Sequence, residues 1–386
     1  MPAQVASKTL DNPETLSLDH LTLASAPPAS PTAVGLTSER QTPAETGSLG
    51  KPIVWVGLGV SLVCLYFFLR NVEWPELWAS LTQARYVYIV PALGFWFLML
   101  YIRALRWQVM VRHLRPVGIG SLMSSTLIGF MASGLLPARA GEIVRAAVLA
   151  RKEKLGVSSV FATIVVERIF DLLAVLFFLV LVLIYLPVAG QHAALMGNLR
   201  FFGGLFAAVI AGAIVFLTLL RLWPHRVKRF FSPLLSRLPP RFAHQVEAIL
   251  DNFIEGLGML TGLRDLVSIS ALSLVLWLVI GLINWALSFA FDIQMSVLGG
   301  CLIFVFTAFA IALPQAPSFI GVFHVAVEKS LLLLSVSTIS AKSYAIVLWT
   351  ISLFPPIVLG LAILWHEGFS LGELTRIRQN GTESRR

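Results

Sequence analysis

The chain has 386 residues, of which 57% are hydrophobic and 13% charged, with a net charge of +9. Its mean hydropathy of +0.83 excludes an ordinary soluble domain. The positive balance does not call for nucleic acid, because the basic residues collect between apolar runs, as they do in cytoplasmic loops of membrane proteins.

Residues 1–50 are rich in Pro, Ser, Thr and Ala and carry no apolar run. That composition reads as a disordered cytoplasmic tail without a signal peptide. Apolar segments then follow near 53–69, 86–102, 117–136, 158–186, 201–222, 266–291, 297–313, 318–336 and 343–365. Several reach the roughly 18 residues that a spanning helix needs. The expected fold is an all-α polytopic membrane protein with about six to eight transmembrane helices plus two re-entrant hairpins, arranged as an inverted repeat. The membrane domain covers 51–366, with repeat halves near 86–186 and 266–365. A cytoplasmic amphipathic segment, 223–262, joins the halves and carries Phe242, Val246, Ile249, Leu250, Phe253, Ile254 and Leu257 at helical spacing. Residues 367–386 form a second cytoplasmic tail.

Loop charge orients the segments. Arg103, Arg106, Arg112 and Arg115 mark 103–115 as cytoplasmic; Arg151, Lys152 and Lys154 mark the end of the next segment in the same way. The stretch 187–199 has no Lys or Arg and is expected outside. Segment 117–136 therefore cannot cross alone. It should turn near Pro137 and return through 141–152, a length suited to a re-entrant arm, which a membrane tolerates only inside protein or beside water; the alternative is a full span followed by a surface helix. The second half repeats the break as Leu313-Pro314-Gln315-Ala316-Pro317-Ser318-Phe319-Ile320-Gly321. Ala104-Leu105 recurs as Ala286-Leu287, and Ile164-Val165-Val166 as Ile346-Val347-Leu348, at one common offset. Counted from a cytoplasmic N-terminus, the two hairpins should enter from opposite faces, and broken helices of this kind point to a central substrate site.

Charges at membrane depth are costly and mark function. Arg139, Glu142 and Arg145 follow the first break at spacings of three, and Glu167, Arg168 and Asp171 sit in the next span. Three arginines and three carboxylates balance, as a low-dielectric site requires. Arg139, Arg145 and Arg168 are the candidate headgroup-binding residues, because guanidinium presents a planar fork to phosphate. Glu142, Glu167 and Asp171 would balance them or carry a coupling proton. A competing interpretation is that the pairs only pin hairpin to span. Pro137, Gly141, Pro314, Pro317 and Gly321 are the expected hairpin breaks. The second half offers only Asn284, Gln315 and His324 as polar candidates, with Trp349 where the first half has Glu167. No metal-ligand pattern, nucleotide motif or catalytic soluble domain is found, and no cofactor is expected.

The run Leu136-Pro137-Ala138-Arg139-Ala140-Gly141-Glu142, followed by Arg145, Leu149, Glu167-Arg168 and Asp171, resembles the lysylphosphatidylglycerol synthase transmembrane-region family, also described as flippase-like. Leu313-Pro314, Pro317, Ile320-Gly321 and Phe323 are similar to that family's second motif, where glycine often replaces Ser318. The resemblance covers roughly 50–365. It implies a lipid-handling role in the bacterial inner membrane, acting on an anionic phospholipid, a modified phospholipid or a polyprenyl phosphate. The aminoacyl-transferase domain that follows the membrane region in bifunctional relatives has no counterpart here, so lipid aminoacylation is not expected. A lipid flippase leads; a membrane-embedded transferase on a polyprenyl phosphate and a non-transporting scaffold are the alternatives, with a homodimer or a partner enzyme as further expected associations.

Overall fold

The structure is a computed structural model that describes residues 50–70, 72–136, 140–186, 262–312 and 316–367, with the isolated positions 208, 212 and 226. Everything outlined below belongs to one compact unit, Ser48–Arg386. The expected N-terminal tail, the segment 201–222, the amphipathic stripe within 223–262 and nearly all of the C-terminal tail lie outside the described residues.

Among the described residues every regular element is helical. In chain order they are α1 (Gly50–Leu69), α2 (Trp74–Gln83), α3 (Ile89–Val111), α4 (Ile119–Leu135), α5 (Ala140–Glu153), α6 (Val157–Tyr185), α7 (Leu263–Ser288), α8 (Val297–Ala312), α9 (Val322–Leu333) and α10 (Thr338–His366). The helices α3, α6, α7 and α10, with the short turns that flank them, are long and apolar enough to cross a membrane. The α1–α2 pair makes a fifth candidate span, bent by 87°. This gives four to five candidate spans among the described residues, which do not include the expected segment 201–222; α4 and α8 are shorter apolar helices, as hairpin arms require.

The α3 and α7 helices lie antiparallel. Arg85 N–H donates to the Ala290 carbonyl at one end of the pair, and Arg112 pairs with Asp265 at the other. That second end is basic and also carries Arg115, Lys152 and Arg264. The helix α3 continues to Val111, beyond the boundary at 102 read from the sequence. Arg103 and Arg106 are therefore helical and buried, not part of a loop. The apolar Trp107, Val109, Met110 and Val111 carry the chain onward through a core formed with Leu122, Leu149, Ile164 and Ile269.

Between α3 and α6 the chain forms an antiparallel helical hairpin. Lys152 Nζ donates to Ser124 Oγ near its base, and Gly129 faces Arg145 and Gly141 farther up. A methyl group on Gly141 would meet Ser133 Oγ at 2.0 Å and the Gly129 carbonyl at 2.1 Å, so only glycine permits this approach. The α8–α9 pair is the second hairpin, with Gly299 beside Leu334 at its base. The two hairpins open toward opposite ends of the bundle. Their breaks meet inside it, where Ser318 Oγ donates to the Gly134 carbonyl at 2.6 Å.

The second break is held in an uncommon backbone conformation. Ser318, Phe319 and Gly321 have φ of 62°, 58° and 81°. Gly321 needs both the positive φ and the absent side chain, since a Cβ there would lie 2.3 Å from the Ser61 carbonyl of α1. Ala316 N–H donates to Ser61 Oγ at 2.8 Å, and Trp349 Nε1 donates to the Ser318 carbonyl at 2.8 Å. Thus α1 and α10 clamp the second break from two sides.

Candidate functional site

Four helices bring one layer of charge together. Arg103 and Arg106 come from α3, Arg145 and Glu142 from α5, Glu167, Arg168 and Asp171 from α6, and Ser273 and Trp277 from α7. Fourteen-residue α5 places Arg145 eight residues from its base. Glu167 lies ten residues inside α6. At about 1.5 Å per residue, both positions lie roughly 12–15 Å from the basic end of the bundle.

Glu167 is the hub and is fully buried. It lies 3.1 Å from Arg103 Nη1, 3.0 Å from Arg106 Nη2, 3.0 Å from Arg145 Nη1 and 3.0 Å from Arg168 Nη2. Arg106 bridges onward, donating to Asp171 Oδ1 at 2.6 Å and to Ser273 Oγ at 2.9 Å. Trp277 Nε1 also donates to Asp171 Oδ1, at 3.0 Å. Arg168 reaches Asp171 at 3.4 Å and Glu142 at 3.5 Å. Among the described residues the layer therefore holds four arginines and three carboxylates, one positive charge in excess.

The arginines are not equivalent. The Arg145 guanidinium stacks 3.8 Å above the ring of Trp107, whose Nε1 is fixed by donation to Thr163 Oγ1 at 2.9 Å. One nitrogen of Arg145 serves both oxygens of Glu167, while Nε and Nη2 are buried without a hydrogen-bond partner. Arg103 Nε and Arg106 Nε are likewise unpartnered. Arg106 Nη2 is near enough to Glu167 for charge attraction but makes no hydrogen bond to it. Buried donors left this way are expensive and call for an acceptor. Arg168 differs in access: its side chain is 41% exposed, and that of its partner Glu142 is 36% exposed.

Of the residues expected from sequence, Arg145, Arg168, Glu142, Glu167 and Asp171 converge. Arg139, Pro137, Pro314 and Gln315 lie outside the described residues. Asn284 and His324 stand apart from the layer. Asn284 Nδ2 donates to the Gly300 carbonyl at 3.0 Å, tying α7 to α8, and its own carbonyl accepts from Tyr344. His324 is packed among Phe68, Phe323 and Trp349. Arg103, Arg106, Ser273 and Trp277 were not anticipated. The three-residue spacing of Arg103 and Arg106, within apolar residues that keep helical character to Val111, was the available signal for the first two.

A family model described as lysylphosphatidylglycerol synthase TM region matches residues 54–360. The chain belongs to this family. That stretch contains every charge of the layer and both hairpins, so the site lies in the family's defining region. Membership and the apolar helices together make the chain a multi-pass membrane protein with a lipid-related function. No curated protein and no solved structure matches it.

Proposed function

We propose that this protein moves an anionic or modified phospholipid between the leaflets of the bacterial inner membrane, with its N- and C-termini in the cytoplasm. The observation that carries the reading is the buried arginine layer, positively charged in excess and holding guanidinium N–H groups without acceptors. A headgroup phosphate supplies both the missing charge and the missing acceptors. Arg168, half-exposed and paired loosely with Glu142, is the group able to exchange a carboxylate for a phosphate. Arg145 then offers its free edge, pre-oriented on Trp107.

The remaining residues have supporting roles in this scheme. Glu167 and Asp171 prevent four guanidiniums from repelling one another, and Arg103 and Arg106 tie α3 to α6 through them. The α4–α5 and α8–α9 hairpins act as re-entrant elements from opposite faces. Their meeting point, Ser318 against Gly134, separates the two sides of the path. The basic end faces the cytoplasm by its charge, so the layer is reached first from that leaflet.

The test is translocation of labelled phosphatidylglycerol, aminoacylated phosphatidylglycerol and polyprenyl phosphate in proteoliposomes. Movement of at least one of them by the wild-type chain, lost in Arg168→Ala, supports the reading. Formation of a new lipid product by the purified protein, without movement, would favour a transferase instead.

A further inference from the structure

At the end of the bundle opposite the basic one, a second group of charges surrounds a cavity of about 510 Å³. That is within the roughly 300–1,000 Å³ typical of small-ligand sites. Its charged walls are Arg70 after α1, Glu73 before α2, Glu328 and Lys329 of α9, and Lys342 of α10. Three cations face two carboxylates, leaving one positive charge over.

Lys342 is only 4% exposed. Its Nζ stands 4.0 Å from Glu328 Oε1, too far for a hydrogen bond, and donates to the Arg70 carbonyl at 3.2 Å. An ammonium group has three donors, and this one lies 5.6 Å from the ring of Phe68 with most of its hydration removed. The first turn of α10 lines the same cavity at Thr338 and Ile339. Ser337 caps only the Ser340 N–H, at 3.2 Å, and a helix start leaves its other first-turn N–H groups seeking acceptors.

Two exposed tryptophans beside the cavity point to a position at headgroup level. The helix α2 turns away from α1 by 87° and exposes Trp74 and Trp78, the residue type that settles at the membrane–water boundary. We propose that this cavity is an anion site that takes a phosphate group, with Lys342 and the first turn of α10 as its floor and Arg70 and Lys329 as its rim. Glu73 and Glu328 offset two of the three cations, which tunes the site to a singly charged phosphate diester or to dihydrogen phosphate. It shares no residue with the arginine layer, and it stands whether or not the protein transports.

The phosphate could belong to a lipid headgroup or be free in solution, and one experiment separates the two. Thr338→Cys, labelled with an environment-sensitive fluorophore in a full-length Cys64→Ala, Cys301→Ala background, reports on the cavity in nanodiscs. In one arm phosphatidylglycerol is titrated into phosphatidylcholine discs; in the other, inorganic phosphate is added to discs of phosphatidylcholine alone. A saturable response to the first arm assigns a lipid headgroup, and to the second a free phosphate. In either case the response should weaken roughly tenfold in Lys342→Gln and in Lys329→Gln, each removing one charge-assisted contact. Arg168→Ala should leave it unchanged. Lys329 is exposed, so its variant remains informative if the buried Lys342 variant folds poorly. No saturable response in either arm, or a response that Lys329→Gln leaves intact, overturns the proposal.

Discussion

The two hairpins share a construction and differ in chemistry. Each is an antiparallel pair of short helices, opening to its own end of the bundle, and each depends on a glycine where backbones nearly touch. Gly141 meets Gly129 in the first hairpin region; Gly300 meets the Gly281 carbonyl where the second docks on α7. The first hairpin nevertheless sends Glu142 and Arg145 into a layer of seven charges. The second sends none there: its own His324 is spent on aromatic contacts, and Asn284 of the adjoining α7 on helix packing. Shape and charge are thus separable: within a common backbone frame the first hairpin contributes to the buried arginine layer, whereas the second carries its charges, Glu328 and Lys329, to the opposite end of the bundle.

That contrast makes a graded set of expectations. The largest effect belongs to Glu167→Gln, which removes the common counter-charge of four guanidiniums. It should cost about 3–5 kcal/mol and abolish most folded protein, read by thermal unfolding in mild detergent. Next come Gly141→Ala and Gly300→Ala, where the new methyl would lie within 2.3 Å of backbone oxygens. Each should cost about 2–3 kcal/mol, as overpacked contacts do. Equal losses would confirm that the two hairpins are held by one device, whereas tolerance at either would break the analogy.

Smaller effects probe the meeting point and the second half. Ser318→Ala removes the hydrogen bond to Gly134 while keeping the strained φ, at about 1 kcal/mol. Ser318→Gly loses the same bond but relieves the backbone, so it should unfold at a higher temperature than the alanine variant. Asn284→Leu should cost about 0.6 kcal/mol, the usual worth of an interhelical side-chain bond, and leave lipid movement intact. A transport-dead, well-folded Asn284→Leu would place chemistry in the second half and overturn the division drawn here.

The sequence made the charged half legible because charges are rare in apolar helices. Arg145, Arg168, Glu142, Glu167 and Asp171 stood out on that ground alone, and the Pro/Gly breaks located both hairpins. Arg103 and Arg106 were misassigned because they adjoin Arg112 and Arg115, and four arginines in thirteen residues read as a cytoplasmic loop. Only the continuing apolar face, Trp107 to Val111, distinguishes a helix from a loop there. Ser273 and Trp277 had no local signal, since their role comes from the antiparallel docking of α7 on α3. In the second half the polar residues were visible, but their engagement in packing depends on neighbours distant in sequence, such as Gly300 for Asn284 and Phe68 for His324.

The central claim is that Arg168 engages a lipid phosphate and is not merely glue. Its side chain is 41% exposed, and Glu167 and Asp171 keep Arg103, Arg106 and Arg145 as counter-charges without it, so the variant should still fold. The direct measurement is the initial rate of lipid movement in proteoliposomes containing equal amounts of folded wild-type and Arg168→Ala protein. The account predicts near-wild-type unfolding temperature with movement reduced at least tenfold. Movement at the wild-type rate in the folded variant would contradict it.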